Sequence, residues 1–124
     1  MNKASMIIRI LMGCIFFTFG LNGFLNFLPM PSMQGNAGAF IELLITSKLL
    51  YIIKVIEVGC SLLLLSGRYI ALALLLLAPI IFNIVWFHIM LAPDGAIMGI
   101  VLLTMETFLL WVNRSSYALL LKNK

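Results

Sequence analysis

Charged residues are rare in this sequence. Only 10% of the 124 residues are charged, and four of those are acidic, whereas about a quarter of a typical soluble domain is charged. Hydrophobic residues make up 64% of the chain, which is more apolar surface than a globule of this length can bury in its own interior. A soluble domain is therefore excluded, and lipid must be the solvent for much of the chain.

Residues that bind metals or carry redox chemistry are also few. Cys14 and Cys60 form no C-x-x-C pair, and His88 is the single histidine. A metal site usually needs three or four such ligands, so we expect no metal. No nucleotide, haem or nucleophile-elbow motif is present, and no cofactor is evident. The two cysteines can pair, but buried cysteines usually act as small inert apolar groups.

Long hydrophobic segments are what the sequence does contain. A helix needs ~20 apolar residues to cross ~30 Å of hydrocarbon, and the chain has no strict alternation of the kind that marks a membrane β-barrel. The sequence predicts an all-α fold, a membrane-spanning antiparallel four-helix bundle that forms one transmembrane domain over residues 1–124. The predicted spans cover residues 7–27, 49–65, 69–91 and 96–112.

Proline, glycine and polar residues separate these segments at residues 29–38, 66–68 and 92–95. Between the first break and the second span, "AGAFIELLITS" places apolar residues on one helical stripe opposite Glu42. This pattern is typical of a short helix lying in the membrane interface. The alternative is an extra turn at the start of the second span.

Basic residues set the predicted orientation. Four crossings bring both termini and the 66–68 turn to one side, and most of the cations lie there, whereas Lys48 lies on the other side with Glu42 and Asp94. By the positive-inside rule both termini are cytoplasmic in the bacterial inner membrane. The net charge of +4 is thus explained by topology and does not indicate nucleic-acid binding. The cations on the terminal side are Lys3, Arg9, Arg68, Arg114, Lys122 and Lys124.

Polar side chains also occur inside the predicted spans, where each charge costs about 2.5–3.5 kcal/mol to insert. A rise of ~1.5 Å per residue from the middle of each segment gives the depth of each of these groups. Four groups lie within ~5 Å of the bilayer centre. A fifth lies ~8 Å outward, and the sequence predicts that these five line a polar pocket: Asn22, Lys54, Glu57, Asn83 and Glu106. Asn26 and His88, nearer the outer surface, are secondary candidates.

Each of these residues also has a purely structural interpretation. Lys54 and Glu57 can neutralise each other and fix the register of the helices, and the asparagines can form hydrogen bonds between helices. One lysine cannot balance both Glu57 and Glu106, so we expect one carboxyl group to be protonated near neutral pH. Gly95 and Gly99 form a small-xxx-small pattern that lets another helix approach closely, which points Glu106 at a neighbouring helix.

Three stretches resemble the DoxX family of small four-helix membrane proteins: "RILMGCIFFTFGLNGF", "IKVIEVGCSLLLLSGRYIALALLLLAPIIFNIVWFH" and "LLTMETFLLW". The resemblance implies a four-helix bundle in the cytoplasmic membrane. It also implies, for some members, thiosulfate:quinone oxidation or thiol-redox complexes, and hence a quinone. The chain departs from the family in lacking a C-x-x-C pair and in having Asn22 where many relatives have histidine.

Two classes of function follow. The bundle is either the membrane subunit of a quinone-linked or sulfur-linked redox system, or a small transporter or non-enzymatic assembly partner of a larger membrane complex. Its partners would be the lipid bilayer, a redox or transport protein and, as a further option, a second copy of the chain. A substrate cannot be read from the sequence.

Overall fold

The computed structural model describes residues 2–27 and 33–122, and in those ranges the chain forms helices and no strands. The all-α prediction is therefore confirmed. Within the predicted break at 29–38, residues 29–32 lie outside the described part of the chain, as does Lys124. The helices are α1 (Lys3–Leu25), α2 (Gly35–Thr46), α3 (Leu49–Ser66), α4 (Ile70–Met90), α5 (Ala96–Val112) and α6 (Arg114–Tyr117), with a 3-10 turn at Pro93–Gly95.

Four of these helices are long and apolar enough to cross a membrane, if the 3-10 turn is counted with α5. They pack as a ring in which α1 contacts α3 and α5, and α4 contacts the same two helices. The core between them is apolar. Its fully buried side chains include Met12, Phe16, Leu64, Leu74, Leu77, Ile81 and Leu109.

Glycines allow the closest helix contacts. A Cβ atom on Gly20 of α1 would lie 2.7 Å from Cγ2 of Val58 on α3, and one on Gly99 would lie 3.4 Å from the Cα of Val85 on α4. Each helix therefore approaches its neighbour at a position where the side chain is a single hydrogen. The close approach expected from the Gly95 and Gly99 pattern is confirmed at Gly99.

The bundle has two ends. The terminal end, as named here, carries the start of α1, the short helix α6 and the turn at Gly67. Gly67 ends α3 in the left-handed conformation, at φ 77°. There Arg9 of α1 donates a hydrogen bond to the carbonyl oxygen of Leu64, one of the last carbonyls of α3, which lack partners within the helix. Arg9 thus provides a hydrogen-bond donor for a carbonyl at the end of α3, in addition to its predicted role in membrane topology.

The other end, here called the α2 end, carries α2 and the turn at Pro93–Gly95. Lys48 has a φ of 68°, a left-handed backbone conformation that interrupts the helix between α2 and α3. Of the two interpretations of this region, the separate short helix is correct. Ala37 of α2 is buried and Phe40 contacts Phe87 of α4 at a ring separation of 5.3 Å, while Glu42 is exposed.

Candidate functional site

Lys54 and Glu57 form an ion pair on α3. Residues three apart lie on the same face of a helix, and here the Lys54 Nζ lies 3.4 Å from the Glu57 Oε1. Glu57 is 3% exposed, whereas Lys54 is half-buried. The lysine stem lies over Gly23 of α1, where a Cβ atom would be 2.5 Å from the Lys54 Cγ. A larger residue at position 23 would displace the lysine, so α1 and α3 together fix its position.

A cavity of about 510 Å³ opens beside this pair at the α2 end, between α1, α2 and α3. Its volume is within the range of small-molecule sites, about 300–1,000 Å³. The side chains and backbone that line it come from all three helices and the segment before α2. They are Phe19, Asn22, Gly23, Asn26, Met33, Gly38, Ile41, Glu42, Ile45, Leu50, Tyr51 and Lys54.

The cavity combines apolar walls with a few polar groups. Lys54 supplies a cation, and Asn22 and Asn26 supply side-chain amides from consecutive turns of α1. Asn22 is 5% exposed, while Asn26 caps α1 in the left-handed conformation at φ 52°. Glu42 of α2 adds a carboxylate at the exposed edge. Such a site can bind an amphiphilic molecule whose polar end accepts hydrogen bonds from an ammonium or an amide.

Glu106 lies elsewhere in the bundle. It is 2% exposed, which confirms that it faces neighbouring helices, and neither of its carboxyl oxygens has a hydrogen-bond partner among the described residues. Its electrostatic neighbours include Cys60 and Tyr117, and it does not line the cavity that holds Lys54. The two carboxyl groups predicted near the membrane centre thus differ: Glu57 is paired with Lys54, and Glu106 is buried with no hydrogen-bond partner in the described part of the chain.

Tyr117 of α6 folds back against the bundle near Glu106. Its hydroxyl donates to the carbonyl oxygen of Ala71 at 2.9 Å, at the start of α4. Burial, and to a smaller extent the charge of Glu106, raises the pKa of Tyr117 to about 12. The hydroxyl therefore stays protonated at physiological pH and can keep donating this hydrogen bond.

Asn83 and His88 are also separate from the cavity. Asn83 is exposed on the outer surface of α4, beside a groove of about 300 Å³ that it lines with Phe40, Trp86, Phe87, Met90 and Leu91. His88 is engaged locally, because its Nδ1 lies 2.8 Å from the carbonyl oxygen of Ile84 and its ring contacts Phe87 edge-on.

The structure therefore brings together part of the predicted set. Asn22, Asn26 and Lys54 line one cavity. Glu57 is not part of the lining but forms the ion pair with Lys54. Sequence reasoning missed Glu42 and Tyr51, which also line it. Tyr51 lies one turn before Lys54 on α3, and that spacing was the available signal. No spacing in the sequence indicates that α2 packs against α3 and α4 at this end of the bundle.

A metal site does not emerge from the described part of the chain, since no group of three His, Cys, Asp or Glu side chains there could hold an ion. Both cysteines are free thiols, Cys14 exposed and Cys60 buried.

Comparison with known proteins adds one finding. A family model described as DoxX matches residues 4–89, which is more than half of the chain. The chain belongs to the DoxX family. Together with the four apolar helices, membership makes this DoxX protein a multi-pass integral membrane protein. The matched region contains the whole cavity and ends before Glu106. No protein of curated function and no solved structure matches the chain.

Proposed function

We propose that this DoxX protein binds a small, uncharged amphiphile with a carbonyl oxygen, of the quinone class, in the cavity between α1, α2 and α3. Lys54 carries the proposal, because a lysine held by a buried ion pair lines a cavity of ligand size. The resemblance to the DoxX family implies, for some members, a quinone-linked or sulfur-linked redox system. That implication agrees with a ligand of the quinone class. A quinone, when bound, would supply two-electron redox chemistry.

The charges around the cavity favour an uncharged ligand over a sulfur oxyanion. Lys54 already has Glu57 at 3.4 Å, and Glu42 adds a second carboxylate at the edge. The local charge is therefore not positive, and an anion such as thiosulfate would have to compete with Glu57 for the lysine. A neutral carbonyl can accept a hydrogen bond from the ammonium without displacing the carboxylate.

The residues of the chain would then bind and orient the ligand. Lys54 and the Asn22 amide can donate to a carbonyl oxygen, and Phe19, Ile41 and Leu50 can contact a ring or a short tail. Glu57 holds the ammonium in place, 3.4 Å from its Oε1. We propose that electrons reach the ligand from a partner protein and that the bundle is the membrane subunit of such a system.

The orientation of the bundle is part of the proposal. Arg9, Arg68 and Arg114 all lie towards the terminal end, on α1, beside Gly67 and on α6. Under the positive-inside rule this end faces the bacterial cytoplasm, and the cavity at the α2 end then lies in the outer half of the inner membrane.

Binding can be tested with the purified protein in lipid nanodiscs and a short-chain ubiquinone, followed by quenching of intrinsic fluorescence. The informative variant is Lys54→Met with Glu57→Gln, because removing both charges leaves no unpaired ion that would destabilise the bundle. Losing a hydrogen bond to a charged donor costs about 1.5–3 kcal/mol, so we expect binding to weaken about 10-fold to 150-fold.

Lys48→Met is the matched control. Lys48 is a lysine at the same end of the bundle, but it is exposed and does not line the cavity, so its removal should leave binding unchanged. Equal binding by the wild type and the double variant would refute a role for Lys54. Tighter binding of thiosulfate than of the quinone would refute the preference for an uncharged ligand.

A second candidate function, a small transporter, is favoured by Glu106. A titratable group buried in a membrane bundle often marks a proton or ion route, and Glu106 is buried without a hydrogen-bond partner among the described residues. Glu106→Gln should abolish proton uptake by vesicles that contain the protein, with little loss of stability. If neither the quinone nor a proton flux is detected, a non-enzymatic assembly role is the remaining candidate.

A further inference from the structure

One face of α4 points away from the rest of the bundle. Its residues recur at alternating intervals of four and three, the heptad spacing of helices that pack along a continuous seam. At 100° per residue they lie within an arc of about 80°, opposite the buried side chains Leu74, Leu77 and Ile81. All are exposed, and together they are called here the α4 seam: Leu72, Leu76, Pro79, Asn83, Trp86 and Met90.

Asn83 is the one polar residue of the α4 seam. Its depth, estimated as within ~5 Å of the bilayer centre, leaves the amide facing hydrocarbon, which offers it neither donor nor acceptor. Other polar side chains near the bundle surface bond to their own helix. Thr104 donates to the carbonyl of Ile100 and Thr107 to that of Leu103, both at 2.8 Å. Among the described residues Asn83 has no such partner.

A second copy of the same chain meets this requirement directly. Copies of a membrane protein insert in one orientation, so a two-fold axis along the membrane normal places α4 of one copy parallel to α4 of the other. Asn83 then faces Asn83 of the second copy at equal depth. An amide carries both a donor and an acceptor, so two asparagines related by the axis can each donate to the other. Buried asparagines at seam positions set register and oligomeric state in helical assemblies.

The shape of the surface agrees with the heptad spacing. The groove of about 300 Å³ beside Asn83 is lined by Trp86 and Met90 of the seam and by Phe40 of α2. A large side chain of an opposing helix can enter it, as a knob enters a hole. The groove is separate from the cavity between α1, α2 and α3, so the two surfaces can act independently.

We propose that the protein forms a parallel homodimer through the α4 seam, with the Asn83 amides hydrogen-bonded across the two-fold axis. Small polar contacts of this kind between membrane helices contribute modestly. We therefore expect Asn83→Leu to weaken dimerisation about three-fold to thirty-fold. Because Asn83 is exposed within one copy, the variant should keep the melting temperature of the monomeric bundle.

Dimerisation can be measured by energy transfer between labelled copies in vesicles over a range of protein-to-lipid ratios. Thr104→Val is the matched control, since Thr104 is exposed but satisfied within its own helix, and it should leave the dimerisation constant unchanged. An Asn83→Leu constant equal to that of the wild type would overturn the amide contact. An equal loss in Thr104→Val would show that any polar group matters and would overturn it as well.

Cross-linking tests the geometry. In a chain with Cys14→Ser and Cys60→Ser, Leu76→Cys and Met90→Cys should each give an oxidised dimer in native membranes. Leu62→Cys is the control, because Leu62 is 52% exposed and Leu76 is 45% exposed, but Leu62 lies on α3. Equal cross-linking of Leu62→Cys, no dimer from either seam cysteine, or a product with the mass of a different protein would each overturn the homodimer.

Discussion

Replacing Lys54 by methionine would measure what the buried ion pair contributes to stability. Methionine keeps an unbranched stem of similar length, so the packing over Gly23 is largely preserved and the charge is the main change. Glu57, which is 3% exposed, then loses the cation that lies 3.4 Å from it. The variant therefore leaves an isolated carboxylate inside the bundle.

The expected loss can be bounded in two ways. At 3.4 Å the attraction between unit charges is about 5 kcal/mol at an effective dielectric constant of 20, and breaking a buried pair by removing one partner costs about 3–5 kcal/mol. Glu57 can instead take up a proton. From an ordinary glutamate pKa of about 4.3, protonation at pH 7 costs about 3.7 kcal/mol. We expect Lys54→Met to lower the unfolding free energy by about 3–4 kcal/mol at pH 7.

Two further results follow from the same physics. At pH 5 protonation of a glutamate costs only about 1 kcal/mol, so the loss caused by Lys54→Met should shrink as the pH falls. Adding Glu57→Gln removes the stranded charge, and much of the lost stability should return at pH 7.

The assay is reversible unfolding in mixed micelles of a mild detergent and dodecyl sulfate, followed by circular dichroism at both pH values. Lys48→Met is the control, since that lysine is exposed and its Nζ lies 5.8 Å from the centre of the Tyr51 ring; it should change stability by less than about 1 kcal/mol. A Lys54→Met protein as stable as the wild type, or a double variant no more stable than the single one, would refute a buried and coupled pair.

Three other outcomes are expected. A reporter inserted at Gly67 or fused to the C-terminus should be active only in the cytoplasm, and a periplasmic signal from either would contradict the positive-inside orientation. Cys14→Ser and Cys60→Ser, alone or together, should preserve folding and any activity; loss of activity with an oxidised Cys14–Cys60 bond in the wild type would support a redox role. Gly20→Ala should destabilise the bundle by about 1–3 kcal/mol through overpacking against Val58. Gly59→Ala should be neutral or stabilising in a melting assay, because beyond its chain neighbours and its own helix backbone no described atom lies within 4 Å of the added carbon.

Hydropathy was sufficient to predict the four long helices, because each must satisfy its backbone within lipid and so must be long, apolar and helical. The short helix before α3 was also predictable from its apolar stripe. The packing of α2 against α3 and α4 was not, since it depends on tertiary contacts such as the one between the rings of Phe40 and Phe87. Glu42 therefore enters the cavity through tertiary packing that no local pattern records.

Sequence gives the depth of a residue in a membrane helix more readily than its direction. In water, an apolar stripe shows which face of a helix is buried. In lipid both the buried and the exposed faces are apolar, and the sequence of α4 has no amphipathic pattern that distinguishes them. Asn83 and Glu106 have similar predicted depths, yet Glu106 faces the bundle and Asn83 faces outward. The difference was predictable only for Glu106, because Gly99 on the same helix marks the side that approaches α4. On α4 no glycine occurs, so the outward face became visible only once Leu74, Leu77 and Ile81 were seen to be buried. A mid-membrane polar residue therefore identifies a site inside the chain only when its helix carries an independent marker of direction, and without one it is equally compatible with a contact to a second protein.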